Sequence, residues 1–189
     1  ACIESVSRQS TALGRLITAR AVSDGKVLLA GPSGTKQLKE YIDRLSHEVD
    51  LCLIDGALSR MSFGSPCITD AMILSTGAAV SASLPTMVAK TRFTYELTQL
   101  PKYQGGEIDD LKQKENGIFA VSEDEIIDLE IPSLLMIDRY KDRIFEHGRR
   151  IFVSGVLNEK FMQFVCTQKQ IESVEIIIRD FTKNFASAD

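Results

Sequence analysis

The chain has 189 residues, of which 44% are apolar and 25% charged, with a formal net charge of −4. That length sustains one α/β domain with a sizeable core, and that charge provides no general basic field for nucleic acid or an anionic membrane. The apolar runs fall far short of the roughly 20 residues a membrane-spanning helix requires, and no stretch reads as a signal peptide.

Four cysteines, Cys2, Cys52, Cys67 and Cys166, are widely separated with no CxxC spacing. Cys52 and Cys166 sit inside apolar patterns, where a thiol acts as a small hydrophobe. A reducing, cytoplasmic setting fits this usage better than a disulfide framework. His47 and His147 stand near expected helix ends without ligand-type neighbours, as surface histidines do. The sequence begins at Ala1 rather than Met, which leaves room for a segment ahead of it.

In chain order, residues 14–22 and 26–30 read as two strands around the turn Ser23-Asp24-Gly25. Gly31 to Gly34 break the chain, with Ser33 placed to cap a helix. In that helix Leu38, Tyr41, Ile42, Leu45 and Val49 follow the 3.6-residue period while Lys39, Glu40, Asp43 and Arg44 face water. Strand 50–54 follows directly, so residues 26–54 predict a β-helix-β unit between parallel strands. Residues 68–80 are apolar on all sides and predict a buried helix; residues 84–100 predict another, with Pro85 in its first turn. A polar, glycine-containing loop is expected over 104–116, within an irregular insertion over 101–131 that also holds a short strand at 117–121. Ser133 to His147 predicts a helix ended by Gly148. A second β-helix-β unit closes the chain: strand 150–155, a helix carrying Leu157, Phe161, Phe164 and Val165 on one face, and strand 174–178. Continuous apolar strands suit a sheet covered on both faces, so the expectation is a single α/β domain over residues 1–189.

Ligands of open α/β sheets sit at the carboxyl ends of the strands, and three such ends are legible. The first, Ala30 to Lys36, offers Ser33 and Gly34 to an anion. It is not a Walker A loop, because Thr35 separates Gly34 from Lys36 and the motif's first glycine is missing. The second is Asp55-Gly56-Ala57. A carboxylate at the tip of an apolar strand is how P-loop enzymes hold Mg²⁺, and burying it demands a cation or donors. An Asp55–Arg60 ion pair or a simple Asp-Gly turn would also account for it. The next residues, Ser59, Arg60, Ser62, Ser65, Thr69 and Asp70, supply hydroxyls, a bidentate donor and a second carboxylate, equipment suited to a phosphorylated ligand. The third end, Ser154-Gly155, reads most simply as a strand stop, and Glu123-Asp124-Glu125 as a solvated turn.

The strings TALGRLITARAVSDG (11–25), KVLLAGPSGTKQLKEYIDRL (26–45) and DGALSRMSFGSPCITDAMILSTGAA (55–79) together resemble a family of P-loop proteins. These are encoded beside cobalamin-dependent lysine and ornithine aminomutases in amino-acid-fermenting bacteria and are described as reactivase-like subunits with a fold akin to dethiobiotin synthetase. The resemblance covers residues 11–80 and is fainter over the closing β-helix-β unit. It implies a P-loop NTPase-like three-layer architecture, a mostly parallel sheet with helices on both faces, here with an N-terminal hairpin. It further implies ATP or GTP with Mg²⁺, Asp55 on the metal side, Ser59 and Arg60 near the phosphates, and a nucleoside-triphosphate hydrolase activity coupled to reactivation of an aminomutase-type partner. The family's Walker A loop lies in an N-terminal segment and none occurs in these 189 residues, so this chemistry depends on a segment preceding Ala1. Two other readings remain open: a small-molecule kinase or ligase using the same strand end, and a non-catalytic module whose polar loop docks a partner protein.

Overall fold

Two apolar tetrapeptides organise the computed structural model: Ile118–Val121 (β3) and Arg150–Val153 (β5) lie side by side as antiparallel neighbours, Ile118 facing Val153 and Ala120 facing Ile151. The structure describes residues 1–11, 14–28, 31–32, 34–55 and 61–184. The chain divides into two compact units, Ala1–Ala71 and Met72–Asp189, where the sequence reading has one domain.

In the N-terminal unit, Cys2–Thr11 (β1) pairs antiparallel with Gly14–Arg20 (β2), with register shifts between Ile3 and Ser5 and between Val6 and Ser10. A hairpin is therefore present, but one strand earlier than expected. Residues 14–20 pair with the polar segment before them, and 21–28 form no strand. The helix Thr35–Leu45 (α1) follows the expected period, burying Leu38 and half-burying Tyr41, Ile42 and Leu45. The Tyr41 hydroxyl and Thr18 Oγ1 stand 3.1 Å apart, which ties α1 to β2. Residues 51–55 form no strand either, and Leu51 and Leu53 are exposed. Among the described residues, the β-helix-β unit over 26–54 thus reduces to its helix.

The C-terminal unit opens with Leu84–Thr98 (α2), which has Pro85 in its first turn. Residues 70–80, which fall in the expected buried helix, are irregular. An all-round apolar segment has no amphipathic face to dock, and helices draw most of their stability from such docking. Ile108–Gln113 (α3) forms inside the expected polar loop and buries Leu111.

In the sheet, β3 and β5 are central, flanked by Ile126–Asp128 (β4) beside β3 and Glu175–Ile178 (β6) beside β5. Ile126–Asp128 (β4) returns antiparallel on β3 through the turn Ser122–Glu125, where Ser122 N–H donates to the Glu125 carbonyl at 2.9 Å. Glu159–Cys166 (α5) carries the chain from β5 across to Glu175–Ile178 (β6), which is parallel to β5 with Ile151 beside Ile176. The closing β-helix-β unit is present as expected. The segment expected to be one helix over 133–147 is instead a 3-10 turn, Leu134–Arg139, and a short helix, Lys141–Ile144 (α4), separated at Tyr140.

These pairings correct the expected fold class. A small mixed sheet with one parallel pair, and a separate two-stranded hairpin, replace the mostly parallel P-loop NTPase-like three-layer sheet. Continuous apolarity reports that both faces of a strand are covered, and says nothing of strand direction, which the connections set. Both faces are indeed covered here. Ile118, Ala120, Ile151 and Val153 pack with Phe161 and Ile137 on one face, and Phe119, Val121, Phe152 and Ile177 with Leu111 on the other.

Phe161 is fully buried. Phe161→Ala is therefore expected to destabilise the C-terminal unit by about 3–5 kcal/mol, while Leu53→Ala changes stability by less than about 0.5 kcal/mol. Urea unfolding of the two variants checks the contrast, and equal costs would contradict it.

Candidate functional site

Of the expected nucleotide and metal residues, Ser33, Ser59 and Arg60 lie outside the described residues. Gly34 precedes α1 in extended conformation, with φ −111° and ψ 146°, and its carbonyl accepts the Leu38 N–H at 3.0 Å. It serves as a helix start. Asp55 is exposed at the end of residues 51–55, which form no strand, so the buried strand tip expected to hold Mg²⁺ is not formed. Among the described residues no cluster of three or more His, Cys, Asp or Glu side chains could hold a metal ion.

The hydroxyls after Asp55 also have structural work. Met61–Gly64 forms a 3-10 turn anchored by buried Phe63. The carbonyl of buried Ser65 then accepts the N–H groups of Ile68 and Thr69 at 2.8 and 3.0 Å, and its Oγ accepts the Cys67 N–H at 3.3 Å. This loop satisfies its own backbone, which is what serine and threonine side chains do in turns. Cys52 and Cys166, expected as small core hydrophobes, are exposed free thiols, as are Cys2 and Cys67. Both histidines are exposed, as expected.

Two clefts lie in the C-terminal unit. A cleft of about 350 Å³ opens at the carboxyl end of β5. Its floor is Val153, Ser154 and Gly155, and its walls include Ile118, Ile131 and Leu134. Ser154 is buried, and both its N–H and its hydroxyl donate to the Gly117 carbonyl, at 3.2 and 2.9 Å. This clamp extends the β3–β5 pairing by one step and holds the cleft floor. Gly117 is required there, because it has φ +123° and a β-carbon would meet the Phe119 ring at 2.8 Å. On the opposite wall, Glu130 adopts φ +55° with its N–H donating to Asp128 Oδ1 at 2.8 Å. That turn brings Ile131 to Ser133 over the strand end. Two capping side chains border the same space: Ser133 Oγ accepts the Leu135 N–H at 3.2 Å, and Asn158 Oδ1 accepts the Phe161 N–H at 2.8 Å.

A second cleft, of about 600 Å³, lies between α3 and the β3–β4 turn. Glu107, Asp110, Glu123, Asp124 and Glu125 border it, opposed by Lys114. Its field is negative. The Glu107 carboxyl is held below the usual carboxylate range by its own backbone N–H and by the Tyr103 hydroxyl, which donates at 2.9 Å. Burial, reinforced by Glu107, raises the Tyr103 hydroxyl. Arg150, whose guanidinium stands 5.8 Å from the Tyr103 ring, is itself paired with Glu175 at 2.5 Å.

Sequence reasoning marked Ser154-Gly155 as a strand end, but not its partners Gly117, Ser133 and Asn158, which converge only through tertiary pairing. It read Glu123–Glu125 as the turn that they form. It missed Glu107 and Asp110, because α3 falls inside an expected loop. Comparison of this chain with protein-family models, curated proteins and solved structures found no match.

The lowered carboxyl has a consequence for pH. With its folded pKa below the unfolded value, ionised Glu107 contributes stability above the ordinary glutamate range near 4.3, and that contribution disappears as pH falls through the folded value. In an NMR titration Glu107 is expected to titrate below the usual range in the wild-type chain and to move upward in Tyr103→Phe. An unchanged titration would show that the hydroxyl does not hold it.

Proposed function

We propose that this chain is a cytoplasmic accessory protein that works by docking on a partner protein through its N-terminal unit. The observation that carries the reading is the exposure of Val27, Leu28, Leu51 and Leu53, which are between 75% and 101% accessible in two runs with the composition of buried strands. Scattered exposed apolar side chains are ordinary. Runs of them, each forgoing about 25 cal/mol per Å² of burial, mark surfaces that another chain covers.

The resemblance carried by residues 11–80 names the partner to test first, a cobalamin-dependent amino-acid mutase that this protein reactivates. It also assigns ATP or GTP with Mg²⁺ to the vicinity of Asp55, with Ser33, Gly34, Ser59 and Arg60 as the other candidates for binding it. That half of the proposal is separable from docking and has its own test.

Co-purification with lysine and ornithine aminomutases is expected to retain the wild-type chain. The double variant Leu28→Asp/Leu53→Asp, both at exposed positions, is expected to weaken retention at least tenfold, an order-of-magnitude figure for losing an apolar anchor. Retention of the double variant at the wild-type level would refute docking through these runs. Titration calorimetry with ATP·Mg²⁺ and GTP·Mg²⁺ tests the second half: Asp55→Asn is expected to bind about tenfold more weakly than wild type. Equal binding removes Asp55 from the site, and no heat from the full-length protein with a Walker A segment ahead of Ala1 removes the nucleotide.

A further inference from the structure

The cleft at the end of β5 has a chemical character that docking through the N-terminal unit does not use. No charged side chain lines it. The walls are aliphatic, and the polar groups at its border are all neutral: Asn116, Ser133, Ser154 and Asn158. At about 350 Å³ it falls within the size range of small-molecule sites. Leu135, 77% exposed, forms an apolar lip where it opens to solvent.

The hydrogen bonds already made decide which polar groups remain to be matched. Asn158 Oδ1 is committed to the Phe161 N–H, which leaves the Asn158 amide hydrogens. Ser133 Oγ accepts the Leu135 N–H, which leaves its hydroxyl hydrogen. Ser154 is spent on Gly117 as a donor. The N–H groups of Gly155 and Val156, at the floor, have no acceptor among the described residues. What the cleft offers is therefore chiefly donors without formal charge, with the neutral Asn116 amide beside them. Glu159, in the first turn of α5, stands outside the lining and offsets the positive end of that helix. An anion finds no cationic side chain in the lining, and a cation finds no carboxylate there.

From this we propose that the cleft binds a small uncharged molecule carrying a carbonyl acceptor on an apolar body. The apolar body lies against Ile118, Ile131 and Leu134, and the carbonyl oxygen takes the Asn158 amide and the Gly155 and Val156 N–H groups.

Three planar probes of nearly equal shape separate the possibilities: benzamide is neutral with a carbonyl, benzoate is anionic, and benzamidine is cationic. In amide-detected NMR of the full chain, benzamide is expected to shift the Ser154, Gly155 and Val156 resonances saturably, at millimolar concentration, and at least fivefold more tightly than either charged probe. Asn158→Asp keeps the cap, since aspartate accepts the Phe161 N–H equally well, and replaces the amide donor with a carboxylate. It is expected to weaken benzamide at least fivefold and to shift the preference toward benzamidine, with the Phe161 amide still protected from exchange. The proposal is overturned if benzamide gives no saturable shift at those three amides. It is equally overturned if benzoate or benzamidine binds the wild-type chain as tightly, or if Asn158→Asp binds benzamide unchanged.

Discussion

The antiparallel pairing of β3 with β5 is the interaction on which the described architecture rests. Ile118–Val121 is buried along its whole length, as are Ile151 to Val153 opposite it. Alternate side chains enter cores on opposite faces, so each ladder hydrogen bond is shielded from both sides and each residue removes apolar surface from water. The other strands attach to this pair by local means, β4 through a short turn and β6 through the α5 crossover. The clamp of Ser154 on Gly117 continues the same ladder and fixes the floor of the cleft.

Among its described residues the N-terminal unit has no such pair. Its hairpin uses polar strands, and its described buried apolar side chains are Leu38 and Phe63. Two runs as apolar as β5 lie in this unit without a sheet to enter. A strand is stabilised by neighbours on its edges and by cover on its faces, and composition alone provides neither. The C-terminal unit has two-sided burial of its own, whereas the N-terminal unit leaves these runs exposed, the surface that the proposed docking would cover.

How much of this could be read from sequence follows from the range over which each signal acts. Helix Thr35–Leu45 and the closing β-helix-β unit were legible, because a 3.6-residue stripe and a change of period are local patterns. The runs 26–30 and 50–54 carry the same local signal as 150–153, and what separates them is a non-local partner. Residues 68–80 misled because an apolar segment without a polar face does not distinguish helix from irregular chain. The mostly parallel sheet was wrong for a similar reason, since two-sided burial is compatible with either strand direction. At the candidate sites, Ser154-Gly155 was visible as a strand end, while the neutral, donor-rich character of its cleft emerges from tertiary pairing and from the hydrogen bonds made by Ser133 and Asn158. Asp55, the sharpest signal in the sequence, depended on a strand that does not form.

Hydrogen exchange of the full chain, followed by mass spectrometry, tests this contrast between the two units most directly. The account predicts strong protection of the amides of 118–121 and 151–153, and exchange near the unprotected rate over 26–28 and 51–55 until a partner is added. Protection of 26–28 and 51–55 in the isolated chain, at the level of β3 and β5, would mean that these runs are already paired strands and would contradict it.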